Sequence, residues 1–516
     1  MKKYAIRSYV SSLGLFLFLS AFSATAPARA ESAAEWDQVS TNWSCPEWFK
    51  DAKFGLWLHW GPQTIPAKGG GWYARDMYMQ KNPDSWGKDA WSYHRETYGP
   101  QSTFGYKDLC NSWKAEKFDA DATIKQFKNW GARYVATMAN HHDNFDLFAS
   151  SVHGWNTTRV GPKRDLVGEF AAAARRHDLK WAASVHCNRS PGWFTPAFGS
   201  DSDGPLKGVP YDGNLTKADG KGLWWEGLDP QQLYASKYPK FNQEFGQRIL
   251  ELVTNYRPDE LYFDDGQIPG PTKPACAALY ADSLKQSGSI QTLITVKSPE
   301  SGTVLDFEKG VSGGIQKDYW QTDTTLADDW FLKPNPDGSS NLRHNARSLK
   351  ELLVDIVSKR GVLLLNVAIR ADGTIPADQM VIMDELGLWL KGNGEAIYNT
   401  RPWKTYGEGG EAAGGAFTER GISSKPWDSS VLRFTVNKRN TILYVHVFGN
   451  PAGMDLIVKS MAADKNLFTG KIKKISVVGS HARVNWSMQS DGLHIRVPGH
   501  LAYKDCNVLK IETTGL

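Results

Sequence analysis

Two adjacent carboxylates, Asp264 and Asp265, stand at the end of a short apolar run in YRPDELYFDDGQ (Tyr256 to Gln267). Upstream, FNQEFGQRILELVTNY (from Phe241) has helical periodicity, and a Pro-Asp break separates it from Leu261-Tyr262-Phe263. The spacing predicts a helix feeding a buried strand with acid groups at its carboxyl end, where barrels of alternating strands and helices place their chemistry. A carboxylate there can be a nucleophile, a base, a metal ligand or a loop cap. Histidines close three more predicted strands. His59 is next to last in FGLWLHW, Asn140-His141-His142 follow Tyr134 to Ala139, and His186 follows Lys180 to Val185.

Three kinds of chemistry fit this set. Metal-dependent hydrolysis would use His141, His142, Asp143 and the Asp264-Asp265 pair. Adjacent residues at a strand end point to opposite sides, however, and no HxH or HExxH spacing is present. A second option is a sugar-binding barrel without catalysis. The third is glycoside hydrolysis, which needs two carboxyl groups flanking the anomeric carbon and polar and aromatic groups around the ring. The 21 tryptophans are individually expected in the core, but clustering with histidines and carboxylates suits the flat C–H faces of sugars.

The elements that must position these groups recur from Phe54 to about residue 370. Helical stretches are Ala120 to Trp130, Leu166 to His177, Phe241 to Tyr256, Ala275 to Gln286 and Ser348 to Ser358. Apolar strands lie between and after them, including Thr292 to Val296 and Val362 to Val367. Continuous apolar strands alternating with amphipathic helices predict an α/β fold with a parallel sheet covered on both faces, and the length favours a closed (β/α)8-like barrel. No Gly-rich phosphate loop follows the first strand. Near Tyr398 the pattern changes to short alternating runs such as VLRFTV and TILYVHV, which predict a C-terminal antiparallel β-sandwich. The expected division is a signal peptide over 1–30, a catalytic barrel over 31–402 and a β-sandwich domain over 403–516. A long Gly-, Asp- and Pro-rich insertion runs from Gly199 to Gly222.

Residues 1–30 read as a secretory signal: Lys2, Lys3 and Arg7 lead, Leu13 to Phe22 is apolar, and Ala28-Arg29-Ala30 is a small-x-small cleavage site. Its removal takes four basic residues and no acid, so the net charge of +5 falls to about +1. No basic stripe remains to attract nucleic acid. No stretch is long and apolar enough to span a bilayer. The protein is expected to be exported, periplasmic or extracellular. Its five cysteines show no CxxC pair; one or two disulfides are possible, buried free thiols being the alternative.

Six segments, in order, resemble the α-L-fucosidases of glycoside hydrolase family 29. They are FGLWLHWGP (Phe54 to Pro62), ARYVATMANHHDNFDLFAS (Ala132 to Ser150), WNTTRVGPKRDLVGEF (Trp155 to Phe170), YRPDELYFDDG, YWQTDTTLADDWF (Tyr319 to Phe331) and DIVSKRGVLLLNVAIRADGTI (Asp355 to Ile375). The resemblance spans roughly residues 40–405. It implies a barrel with a C-terminal β-sandwich and a retaining exo-glycosidase acting on terminal α-L-fucosyl residues. The position resembling the family's nucleophile is Asp264. Glu308, in LDFEKG, resembles the acid/base position, with Glu300 as runner-up. Burial beside the nucleophile is expected to raise the acid's pKa. His59, His141 and His142 match histidines that bind sugar hydroxyls, and Trp72, Tyr73, His186 and Trp320 are further candidates for substrate contact. Gly71 stands where the family often has an acid before Trp-Tyr. The resemblance implies a fucosylated or related glycan as partner, with no cofactor and no metal. An α-L-galactosidase, or a non-catalytic carbohydrate-binding protein, are the alternatives.

Overall fold

A computed structural model describes residues 33–81, 87–410, 417–419 and 426–516. The signal peptide expected over 1–30 lies outside the described residues. Eight parallel strands close into a barrel in sequence order. They are β1 (Phe54–Leu58), β2 (Tyr134–Asn140), β3 (Lys180–Val185), β4 (Glu260–Phe263), β5 (Leu293–Val296), β6 (Val304–Asp306), β7 (Trp320–Thr325) and β8 (Gly361–Asn366). Closure comes from β8 pairing with β1, Phe54 opposite Leu363. The expected fold class is present.

Two strands, β6 and β7, carry no apolar run. The residues Gln321 to Thr325 are polar yet buried, which requires internal partners. Gln321 Oε1 accepts from Tyr134 Oη at 2.8 Å, Thr322 Oγ1 donates to Phe307 O at 2.8 Å, and Thr325 Oγ1 donates to Asp329 O at 3.0 Å. The helices follow the ordinary amphipathic rule. Phe241–Tyr256 buries Phe241, Phe245, Ile249, Leu252, Val253 and Tyr256, one stripe at helical spacing. It stops where Arg257 turns left-handed (φ +49°) before Pro258.

The barrel interior is filled by every second strand residue. Trp57, Ala136, Ala182, Tyr262, Leu293, Val304, Val362 and Leu364 share one cluster, with the Trp57 and Tyr262 rings 5.4 Å apart. A side chain at Gly55 would meet the Tyr134 ring, its Cβ only 2.3 Å away; glycine there admits the ring.

From Thr400 the chain is antiparallel. In chain order the strands are β9 (Thr400–Glu408), β10 (Leu432–Asn437), β11 (Ile442–Phe448), β12 (Asp455–Val458), β13 (Ile472–Val477), β14 (Asn485–Gln489), β15 (Gly492–Arg496) and β16 (Cys506–Thr513). One sheet runs β9-β10-β11-β16-β13 and the other β12-β15-β14, around a separate apolar core that includes Phe434, Val445, Leu493 and Ile511. The boundary expected at 402/403 falls inside β9.

The two parts are joined by a buried ion pair. Arg433 Nε of β10 donates to Asp355 Oδ1 at 2.6 Å, Lys359 Nζ donates to Asp355 Oδ2 at 2.8 Å, and the guanidinium lies 4.4 Å from the Trp427 ring. Asp355 belongs to the barrel helix Ala346–Ser358. Removing Arg433 takes one of two cations from buried Asp355 and leaves Lys359 as an ion-pair partner. Arg433→Ala is therefore expected to destabilise by less than the roughly 3–5 kcal/mol of a fully broken buried pair, read as an earlier melting transition of the full chain; unchanged melting would show that the interface does not depend on this pair.

All five cysteines are free, and only Cys45 is not fully buried. Among the described residues no helix is long and apolar enough to cross a membrane.

Candidate active site

Continuing each inward row past its strand end brings polar groups together at the carboxyl end of the barrel. Residues 55, 57 and 59 lead to His59; 182, 184 and 186 to His186; 260, 262 and 264 to Asp264; 293, 295 and 297 to Lys297; and 362, 364 and 366 to Asn366. This alternation separates the two adjacent acids. Asp264 faces inward, Oδ1 3.0 Å from Lys297 Nζ and 3.1 Å from Tyr262 Oη, and Oδ2 3.1 Å from His186 Nδ1. Asp265 turns to the loop after β3, where Oδ2 accepts from Asn188 N at 2.9 Å and Oδ1 lies 3.4 Å from Arg189 Nε.

Lys297 is the hub. Its ammonium also reaches Asp306 Oδ2 at 3.3 Å, Glu308 Oε2 at 3.4 Å and Asp323 Oδ2 at 3.2 Å. Tyr262 Oη is 2.9 Å from Asp306 Oδ2 and 3.2 Å from Asp323 Oδ2. Four carboxyls thus share one cation, and they cannot all stay ionised. Burial, then the charge of Asp323, lifts Asp306 well above the carboxylate range, so it holds a proton. Burial also pushes Asp323 up, but Lys297 and hydrogen bonds from Asp306 and Tyr262 outweigh it and hold Asp323 ionised. For Asp264 burial wins over Lys297, and its carboxyl rises to about 7. The ammonium itself is held well above its usual range; burial works against it and the carboxylates around it prevail.

The histidines surround this hub. His59 Nδ1 is 2.9 Å from Asn366 Oδ1, and burial pushes the ring down to about 3. His141 and His142 lie just beyond β2, in a turn where strand alternation no longer applies. Their rings are 4.6 Å apart on the same side, which corrects the expectation that they diverge. Burial pushes His141 well below the histidine range and His142 to about 3. The turn is fixed from below. Buried Arg248 donates to Asp146 Oδ2 at 2.9 Å, to Asp146 Oδ1 at 2.5 Å and to Asn144 Oδ1 at 2.7 Å, and Asn140 Nδ2 donates to Asp146 Oδ1 at 3.0 Å.

The other sequence candidates divide. Glu308 reaches the hub, though its side chain is 41% exposed, more open than the burial expected of it. Glu300 faces elsewhere: its carboxylate accepts from Ile268 N at 3.1 Å and pairs with Lys273 at 3.3 Å. Trp72 borders the site, 6.0 Å from the His142 ring. Tyr73 does not; it is buried with Oη 2.9 Å from His94 Nδ1. Trp320 opens β7 at the opposite end of the barrel, where Nε1 donates to Lys359 O at 3.0 Å, so it is core rather than a substrate contact. Trp330 and Phe331, on the loop after β7, take that wall instead, their rings 4.9 and 5.6 Å from His59. Phe331 and His141 also close on Gly71, where a Cβ would lie 3.0 Å from each. Sequence reasoning missed Lys297, Asp306, Asp323, Trp330 and Phe331; the inward alternation of β5 to β7 is the signal that reaches the first three.

The arrangement offers an inward carboxylate, a second carboxylate beside it on the same cation, and a wall of neutral imidazoles and aromatic rings. A family model described as alpha-L-fucosidase matches residues 19–395. The plasma alpha-L-fucosidase of Homo sapiens is 27% identical over 390 residues, 72% of each chain. The alpha-L-fucosidase of Dictyostelium discoideum is 26% identical over 380 residues, 72% of this chain and 74% of its own. Among solved structures, Thermotoga maritima alpha-fucosidase in complex with a mechanism-based inhibitor aligns with a TM-score of 0.68 at 24% identity, covering 93% of this chain and 100% of that one. A bacterial fucosidase with a monovalent iminocyclitol inhibitor aligns at 0.60 and 17%, covering 95% and 98%. At such identities the structural likeness speaks for the fold.

Proposed function

This chain belongs to the α-L-fucosidase family of glycoside hydrolases, and on that premise we propose that it is a retaining exo-glycosidase removing terminal α-L-fucosyl residues from glycans through a covalent intermediate on Asp264. The sugar ring sits against His59, His141, His142 and the aromatic wall. Ionised Asp264 attacks the anomeric carbon while Glu308 gives its proton to the departing oxygen. Glu308 then takes a proton from water, which attacks the same carbon and frees Asp264.

The observation that carries this reading is the shared ammonium. Asp264 Oδ1 and Glu308 Oε2 lie 3.0 and 3.4 Å from one Nζ. Oxygens sharing a cation at these distances are closer than the roughly 6.5–9.5 Å of an inverting pair, and in keeping with the ~5–5.5 Å of a retaining one. The oxocarbenium-like transition state gains from the ionised carboxylates beneath it. Export, with cleavage after Ala30, belongs to the same proposal, because such glycans lie outside the cytoplasm.

Glu308→Ala tests the assignment. Poor leaving groups need the proton and activated aryl fucosides do not, so hydrolysis of the former is expected to fall by roughly 10²–10⁴-fold and far less for the latter. Azide should intercept the trapped intermediate and yield fucosyl azide of retained configuration. Equal loss on both substrates, with no azide product, would remove Glu308 from the role.

A further inference from the structure

We infer that His141, His142 and His186 form a site for a divalent transition ion at the mouth of the barrel, and that such an ion excludes the sugar. The three residues come from two strand ends. Each offers one ring nitrogen, and these nitrogens all lie within 4.8 Å of one another. The ring centroids are 4.6 Å apart for His141–His142, 4.7 Å for His141–His186 and 3.9 Å for His142–His186. Tetrahedral zinc at 2.0–2.1 Å from each nitrogen brings ligand atoms to about 3.4 Å from one another, so modest side-chain rotations close the site.

Two features point to a cation rather than to a satisfied core cluster. His142 Nδ1 is buried and makes no hydrogen bond. His186 Nδ1 faces Asp264 Oδ2 at 3.1 Å, and His186 Nε2 faces Asp265 Oδ1 at 3.4 Å. The two carboxylates supply the negative charge a dication needs, and Asp264 is placed to be a fourth ligand. Neutral imidazoles are the ligating form. Arg189 and Lys297 act against the ion, Lys297 most directly through its contact with Asp264.

An ion seated there occupies the space of the sugar hydroxyls, so competition rests on the fucosidase reading, while binding itself does not. The test is calorimetric titration of Zn²⁺ into the chelator-treated full chain. The expected result is one saturable ion per chain, weakened roughly tenfold or more in His186→Phe and in His142→Phe. His494→Ala, a surface histidine of the sandwich, should leave it unchanged. With an aryl α-L-fucoside, Zn²⁺ should raise KM without lowering kcat, and chelation should reverse it. Absence of saturable binding, or binding that both phenylalanine variants retain while circular dichroism reports a native fold, would overturn the site. Binding with a lowered kcat and unchanged KM would overturn the competition alone.

Discussion

Asp264→Gly is expected to lower turnover of an aryl α-L-fucoside by on the order of 10⁴-fold or more, the scale of losing a covalent nucleophile. The inward row of β4 leaves no second carboxylate in the same place, since Asp265 points to the loop after β3 and is engaged by Asn188 and Arg189. Glycine also opens a gap beneath the anomeric carbon that a small anion can fill. Azide should therefore restore turnover and give fucosyl azide of inverted configuration, opposite to the product expected from Glu308→Ala. The contrast matters because the two variants together define both faces of the sugar. Asp265→Asn should cost much less. Wild-type rates in the glycine variant would take Asp264 out of the mechanism.

Lys297→Met should reduce kcat/KM at neutral pH by roughly 10²–10³-fold, the scale of deleting one preorganised charge from a buried site, and should move the acid limb of the pH profile upward. The sign follows from the hub. Asp264 must be ionised to attack, and its carboxyl already stands near 7 because burial outweighs the ammonium. Activity is lost as pH falls through that value. Without the ammonium the carboxyl rises further, so the loss begins at higher pH. The groups facing Lys297 are Tyr262 and Asp264 from β4, Asp306 and Glu308 from β6 and its following loop, Asp323 from β7, and the neutral rings of His59 and His186. None of them replaces the missing positive charge. Lys297→Arg should keep the limb near its original place. A variant that melts early but keeps its acid limb would show that Lys297 only supports the fold.

Much of this was legible in the residues. Strands buried on both faces announce themselves as apolar runs, which is how β1 to β5 and β8 could be read, and the acids and histidines at their ends follow from the architecture. The polar strand β7 could not be read that way. WQTDTT looks like a loop, because the partners that make its burial affordable come from β2, the loop after β6 and its own following loop, and form no local pattern. With β6 and β7 unrecognised, Asp306 and Asp323 had no row to belong to, and Lys297 had no visible charges to balance. The His141-His142 geometry departs from alternation for a local reason: both histidines lie past the end of the strand at Asn140, where the rule no longer holds. Motif and residue type single out Tyr73 and Trp320, whereas their hydrogen bonds to His94 and Lys359 place them in the core.

The unpaired thiols bear on how this protein can be made and how long it lasts. A chain with no cross-links to form needs no oxidative folding machinery, so a reducing cytosol should serve for its production as well as an oxidising compartment. Four of the thiols are sealed from reagents. The fifth, Cys45, sits at the far end of the barrel from the chemistry and is pushed up to about 12 by burial, leaving almost no thiolate for peroxide or disulfides to attack. In an oxidising medium, thiol oxidation should not be what limits its working life.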